Sequence, residues 1–458
     1  MAIVHDLIIE PQKGPLLGSV PVPGDDGIAG LALLAAALAD GTSEIRSLSA
    51  GSDSGVMIEA LRALGVSVEM EAKGTARVKG VGLLGLMAAK EPLDCGGSVR
   101  TMCRLAAVLA GHPFESVLRG DAMLLGTSVA GLARALRGRG AVIEGELSTR
   151  EPGEVTPPLV VGPLGPRRRL SGIEYELASL APDVKEALLL SGLVADESTY
   201  VRERIVSRDH AERLLQALDV PLSMAGPIVH LDVEGWTARL PAFDEEVPGD
   251  FSASALLLAA ASVVPGSRVG VRRTGLNPTR TGLLDLVRQM GATLEVEVHR
   301  SALGEPEGEL SLTFAPLRGV TMGGEVLGRA SAELPLLAAI AARARGETAI
   351  TDVRAVLGHP GSRSAIARLA KVLRGFGVES EAQDDALVVQ GRPDGALVAA
   401  DIDSQGDPDV AAVSTVLGLV AEGPTRVRSV DGLARRFPRF VATLRALGVE
   451  ARVEERTV

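Results

Sequence analysis

Two periods of apolar and polar positions alternate between Val247 and Val296. Val247-Pro248-Gly249-Asp250 reads as a turn, and the Asp250 carboxylate can cap a helix by accepting from first-turn amides. The spacing predicts an apolar helix from about Ser252 to Val263, ended by Pro265-Gly266. Ser267–Arg272 alternates like a strand. A turn at Gly275–Thr279 leads to a second helix with Leu283, Leu284, Leu286, Val287 and Met290 on one face. Gly291 stops that helix, and Ala292–Val296 reads as another strand.

This helix–strand–helix–strand unit recurs six times. The first helices are expected at Leu31–Ala39, Thr101–Ala110, Val184–Val194, Ala253–Val263, Glu333–Ala344 and Val410–Ala421. The second helices share an ending, as in Leu61-Arg62-Ala63-Leu64-Gly65-Val66 and Leu444-Arg445-Ala446-Leu447-Gly448-Val449. Val22-Pro23-Gly24-Asp25 opens the first unit as Val247-Pro248-Gly249-Asp250 opens the fourth, so the chain reads as two halves of three units. Alternating helices and strands give an α/β class. Three like units about an axis would bury their apolar first helices together. The expected domains are 22–236, and 1–21 with 237–458.

Composition narrows the function. Aromatic residues are 2% of 458, so the core must be built from Ala, Leu and Val. A formal net charge of −11 argues against a nucleic-acid partner, and Arg167-Arg168-Arg169 reads as a solvated turn. The longest apolar runs are too short to span a bilayer. Two cysteines, Cys95 and Cys103, fit a reducing compartment, and a cytoplasmic protein is expected. The six histidines have no metal-ligand spacing, and the chain has neither a P-loop nor a Gly-x-Ser-x-Gly elbow. No cofactor is expected.

Several stretches are more specific. They are Gly275-Leu276-Asn277-Pro278-Thr279-Arg280-Thr281-Gly282, Gly172-Ile173-Glu174-Tyr175-Glu176-Leu177, Ser207-Arg208-Asp209-His210 and the two Pro-Gly-Asp turns. On these the chain resembles the 5-enolpyruvylshikimate-3-phosphate (EPSP) synthase family, the 3-phosphoshikimate 1-carboxyvinyltransferases, over nearly its whole length. The resemblance implies the two-domain enolpyruvyl transferase fold, with six βαβαββ-type repeats, three per domain about a pseudo-threefold axis. It implies an active site in a cleft between domains, a monomer, and small anionic partners, phosphoenolpyruvate and shikimate 3-phosphate. The implied reaction joins C2 of phosphoenolpyruvate to the 5-hydroxyl of shikimate 3-phosphate, releases phosphate, and serves aromatic amino acid biosynthesis. Such substrates call for Arg, Lys and helix N-termini, and for carboxyl groups that move protons.

The chain departs from the family at those positions. Where the family has Lys-Ser-Ile-Ser-His-Arg, this chain has Asp26, Gly27 and, at the Arg, Leu31. The Gly-Asn-Ala/Ser-Gly-Thr-x-Met-Arg motif becomes Gly96–Cys103, with Gly97 for the Asn, Arg100 for the Thr and Cys103 for the Arg. Thr127 stands for a further Arg and Asp183 for a Gln. The implied base position is Ala332, beside Glu333, and the implied acid position is Pro360, beside His359 for a Lys. Asp409 replaces the Arg of Asp-His-Arg. The pocket is roughly six charges less positive than the family pattern, and each desolvated Arg–phosphate contact is worth about 1.5–3 kcal/mol. Ser207, Arg208, Arg363 and Arg435 remain as candidate substrate-binding residues. Two functional expectations follow. One is the family's transferase reaction, weakened at these positions. The other is a non-catalytic metabolite-binding or regulatory protein, or an altered-substrate enzyme, on the same scaffold.

Overall fold

The computed structural model describes residues 3–49, 52–147, 155–165, 168–357 and 362–457. The chain divides into two compact units. A split unit holds Met1–Pro23, Gly249–Arg300 and Pro306–Val458; an inserted unit holds Gly24–Pro248 and Ser301–Glu305.

The border therefore falls after Pro248, not after Trp236. Local pairing explains the difference. Leu240–Pro241 lies parallel to Ala39–Asp40, and Asp244–Glu246 lies parallel to Thr42–Arg46, so this stretch completes sheets of the inserted unit. Ser301–Glu305 also groups there, with Leu303 in its hydrophobic core.

Among the described residues, six four-stranded sheets share one pairing scheme. An entry strand runs parallel to a second strand, and the second, third and fourth pair antiparallel. Ile173–Leu177, Thr199–Glu203, Ile228–Leu231 and Leu222–Ala225 show it in order. Thr321–Met322, Gly346–Ile350, Leu387–Gly391 and Ser380–Ala382 show it again in the split unit. Two entry strands are exchanged along the chain. Leu17–Pro21 precedes the inserted unit but pairs with Arg268–Gly275, while Asp244–Glu246 follows that unit's three repeats and pairs with Thr42–Arg46. The sixth sheet is closed by the N-terminal strand Ile3–Ile9, which lies between Thr425–Arg428 and Ala451–Thr457.

Each repeat has one nearly all-buried helix. In the inserted unit these are Asp26–Leu38, Val99–Leu109 and Pro182–Gly192; in the split unit they are Phe251–Val263, Leu334–Ala341 and Pro408–Gly418. The split unit's three pack pairwise on one another. Their Ala-rich surfaces allow close approach and bury dispersion contacts without large side chains. The N-termini are built for order. Asp25 accepts from Ile28 N, Ser98 from Thr101 N, Asp250 from Ser252 N and Asp407 from Asp409 N. Proline opens the first turn of the helices at Pro182 and Pro408, where no amide is needed.

The repeats share a close contact as well. A Cβ at Gly80 would stand 2.1 Å from Ala39 O, and one at Gly391 would stand 2.0 Å from Ala344 O. In both units a glycine at or just past the end of the third sheet strand lets backbone lie near the end of the first helix.

Candidate functional site

In the inserted unit, Asp26 begins the first helix but serves the second. Its carboxylate accepts from Asp53 N at 2.7 Å, from Ser54 N at 3.0 Å and from Ser54 Oγ at 2.5 Å, so it caps Ser52–Ala63. Burial raises its pKa, with Asp53 adding to the rise and Ser54 opposing it. A group in this role is tied to the fold and presents no cation to a phosphate.

Arg100 and Asp183 come together in this unit. Arg100 Nε lies 3.6 Å from Asp183 Oδ1, and Nη1 lies 3.9 Å from Asp53 Oδ2. One turn on, buried Arg104 pairs with Glu186 and donates from Nη1 to Gly27 O at 2.8 Å. Both guanidinium groups thus meet carboxylates of the chain itself. Leu31 and Cys103 are 1% and 3% exposed, so they are core residues and not lining residues as expected. The Cys103 thiol is pushed well up by burial. Gly97 is exposed beside Asp121, and Thr127 Oγ1 donates to Met123 O at 2.9 Å within its own turn.

Ser207 is buried, and both its amide and its hydroxyl donate to Glu203. Glu203 also accepts from Lys185 Nζ at 2.9 Å, and the same ammonium lies 2.7 Å from Glu212 Oε1. Arg208 is half-buried. Next to it, Asp209 pairs with Arg213 at 2.8 Å and Glu212 with Lys185. Composition gives no hint of this Lys185–Glu203–Glu212 group. The one available signal is that Glu203 precedes Ser207 by four residues in the Ser-Arg-Asp-His stretch.

In the split unit, Ala332 lines a cavity of about 200 Å³ with Leu334, Pro335, Arg368, Asp407, Asp409 and Arg436 among its walls. Asp409 pairs with Arg436 at 2.6 Å, and Asp407 with Arg368 Nε at 3.3 Å. The cations at this cavity are therefore Arg436 and Arg368, which sequence reasoning missed. Of the expected cations, Arg435 is exposed, and Arg363 is 75% exposed and lies 3.2 Å from Asp384. The helical spacing Ala365, Arg368, Leu369 would have placed Arg368 on a shared face. Glu333 is fully buried, bonded to Arg280 and to Ser252 Oγ. His359 and Pro360 lie outside the described residues. A methyl group at 332 cannot take up a proton, and the carboxylates at this cavity face arginines.

Among the described residues, no cluster of His, Cys, Asp and Glu could hold a metal ion, and no helix is long and apolar enough to cross a membrane.

Comparison with known proteins gives a consistent picture. Residues 11–444 match the family described as EPSP synthase (3-phosphoshikimate 1-carboxyvinyltransferase). A 3-phosphoshikimate 1-carboxyvinyltransferase of Acidithiobacillus ferrooxidans is 36% identical over 434 residues, covering 95% of this chain and 96% of the relative. That of Halorhodospira halophila is 37% identical, covering 96% of each chain. The solved EPSP synthase from Acinetobacter baumannii superposes with a TM-score of 0.86 at 29% identity, covering 98% of this chain and all of that one.

Proposed function

The chain belongs to the EPSP synthase family, and from that premise we propose that its standard carboxyvinyl transfer runs far below the ordinary enzyme range. The family, its curated relatives and its solved neighbours all point to 3-phosphoshikimate 1-carboxyvinyltransferase of the shikimate pathway, acting on the small anionic metabolites phosphoenolpyruvate and shikimate 3-phosphate. One observation carries the proposal. At positions where the resemblance implies a substrate cation or a proton carrier, this chain has Asp26 capping a helix, Asp409 paired with Arg436, and the inert Ala332.

The magnitudes are large. Loss of a general base costs about 10²–10⁴ in rate. Each missing charge-assisted contact to a phosphate costs about 1.5–3 kcal/mol, and repulsion from a carboxylate adds to it. The test is a steady-state assay of the whole chain with phosphoenolpyruvate and shikimate 3-phosphate, followed by phosphate release. Turnover below detection is expected. A rate within ~1–10³ s⁻¹ would overturn the proposal and give the chain the reaction its relatives are named for. Silence toward both ligands in calorimetry would extend it to a metabolite-binding or regulatory protein.

We further propose a cytoplasmic monomer. Supporting a reducing compartment, Cys95 and Cys103 are both buried free thiols, and burial with Asp94 pushes Cys95 up to about 12. Light scattering should read one chain mass, 47.3 kDa; twice that mass would refute the monomer.

A further inference from the structure

The helix end at Asp26–Ile28 already has an occupant supplied by the chain. Arg100 reaches it from the first turn of Val99–Leu109, and its guanidinium lies against the backbone of Gly27. A Cβ built on Gly27 would stand 2.0 Å from Arg100 Nη1, 3.1 Å from its Cζ and 3.2 Å from Asp25 Oδ1. A methyl group at 27 would have to displace the guanidinium from where it stands. The guanidinium is also held in place, with Asp183 at 3.6 Å and Asp53 at 3.9 Å, and the side chain is 27% exposed. Arg104 bonds the carbonyl of the same Gly27 residue, so two guanidinium groups meet there. Burial works against the charge on Arg100, but Asp183, Asp53, Asp25 and Glu186 outweigh it and hold its pKa above the ordinary value.

A bare helix N-terminus offers amides to an anion. Here Asp25 takes the Ile28 amide and the Arg100 guanidinium covers Gly27. We propose that Gly27 and Arg100 are the specificity-determining pair of this half-site. The guanidinium acts as a built-in occupant that fills the volume over Gly27, neutralises Asp53 and Asp183, and closes the helix end to an incoming phosphate. The inference rests on the proposed function in taking this helix end as a substrate position. Once emptied, the space is lined by carboxylates and suits a small guanidinium or amine cation, not an anion.

The test is a cycle of Gly27→Ala and Arg100→Ala in the full chain. Gly→Ala in a helix ordinarily stabilises. With Arg100 present, Gly27→Ala is expected to lower the thermal midpoint by about 3 °C or more. In the Arg100→Ala background the same change should be neutral or stabilising, which reverses the sign. Ethylguanidinium chloride at millimolar concentration should then raise the midpoint of Arg100→Ala above that seen with equal sodium chloride, while leaving the unsubstituted protein unchanged. Equal effects of Gly27→Ala in the two backgrounds would overturn the pair. Equal stabilisation of Arg100→Ala and the unsubstituted protein by ethylguanidinium would overturn the occupant. Neither readout depends on turnover, so an active enzyme would sink the proposed function and still leave this cycle legible.

Discussion

Lys185→Met is expected to destabilise the inserted unit by about 3–5 kcal/mol, because it strands two buried carboxylates. Lys185, Glu203 and Glu212 are all buried, and they come from three elements of one repeat. Burial opposes the ammonium, but Glu212 and Glu203 outweigh it and raise its pKa. Burial raises Glu212 in turn, against the pull of Lys185. A folded-state pKa raised above the unfolded one means that the native protein binds the proton more tightly. Glu212 therefore stabilises fully below the unfolded carboxylate value of about 4.3. That contribution is lost as pH rises through its raised folded value. Without Lys185 the rise should be larger, so the gap between variant and unsubstituted protein should narrow as pH falls from 7 toward about 5. At the alkaline end, the Lys185 contribution is present below about 10.4 and is lost above its raised folded value. Urea unfolding at several pH values reads both limbs. A gap that does not change with pH would show that Glu212 does not take up the proton.

Arg280→Met should cost a similar amount in the split unit, about 3–5 kcal/mol, for the same physical reason. Arg280 bonds Glu333 and Ser252 Oγ, Ser252 Oγ donates to Glu333 at 2.6 Å, and the guanidinium lies 5.5 Å from the Phe251 ring centroid. Glu333 is completely buried, so removing its cation leaves an uncompensated charge. Replacing both partners is a different experiment. Arg280→Met with Glu333→Leu removes the stranded charge, and buried pairs replaced by apolar residues are often neutral or better. The double variant should recover most of the single variant's loss. A double variant as weak as the single one would show that packing around Phe251 and Ser252, not charge, sets the cost. Each unit has its own core, so amide exchange read separately in the two units is the better measurement.

Local pattern carried much of the fold. Ala-rich periodic runs announced six first helices, Asp250 announced a cap, and Pro-Gly-Asp turns announced the two halves. These features follow from residues a few positions apart, where 3.6-residue periodicity and capping chemistry act. The border after Pro248 was not legible. Leu240–Pro241 and Asp244–Glu246 are too short for a periodic signal, and they become strands by pairing with residues some two hundred positions earlier.

The site divides along the same line. The sequence by itself determined which charges this protein carries and which family cations and carboxylates it has replaced, because residue type is read directly. Only the tertiary structure decided what those charges face. It turned Asp26 toward a neighbouring helix, laid Arg100 on Gly27, put Arg436 rather than Arg435 beside Asp409, and closed Lys185 between two glutamates. Charge interactions depend on separation and on the surrounding dielectric, and both are set when distant segments pack.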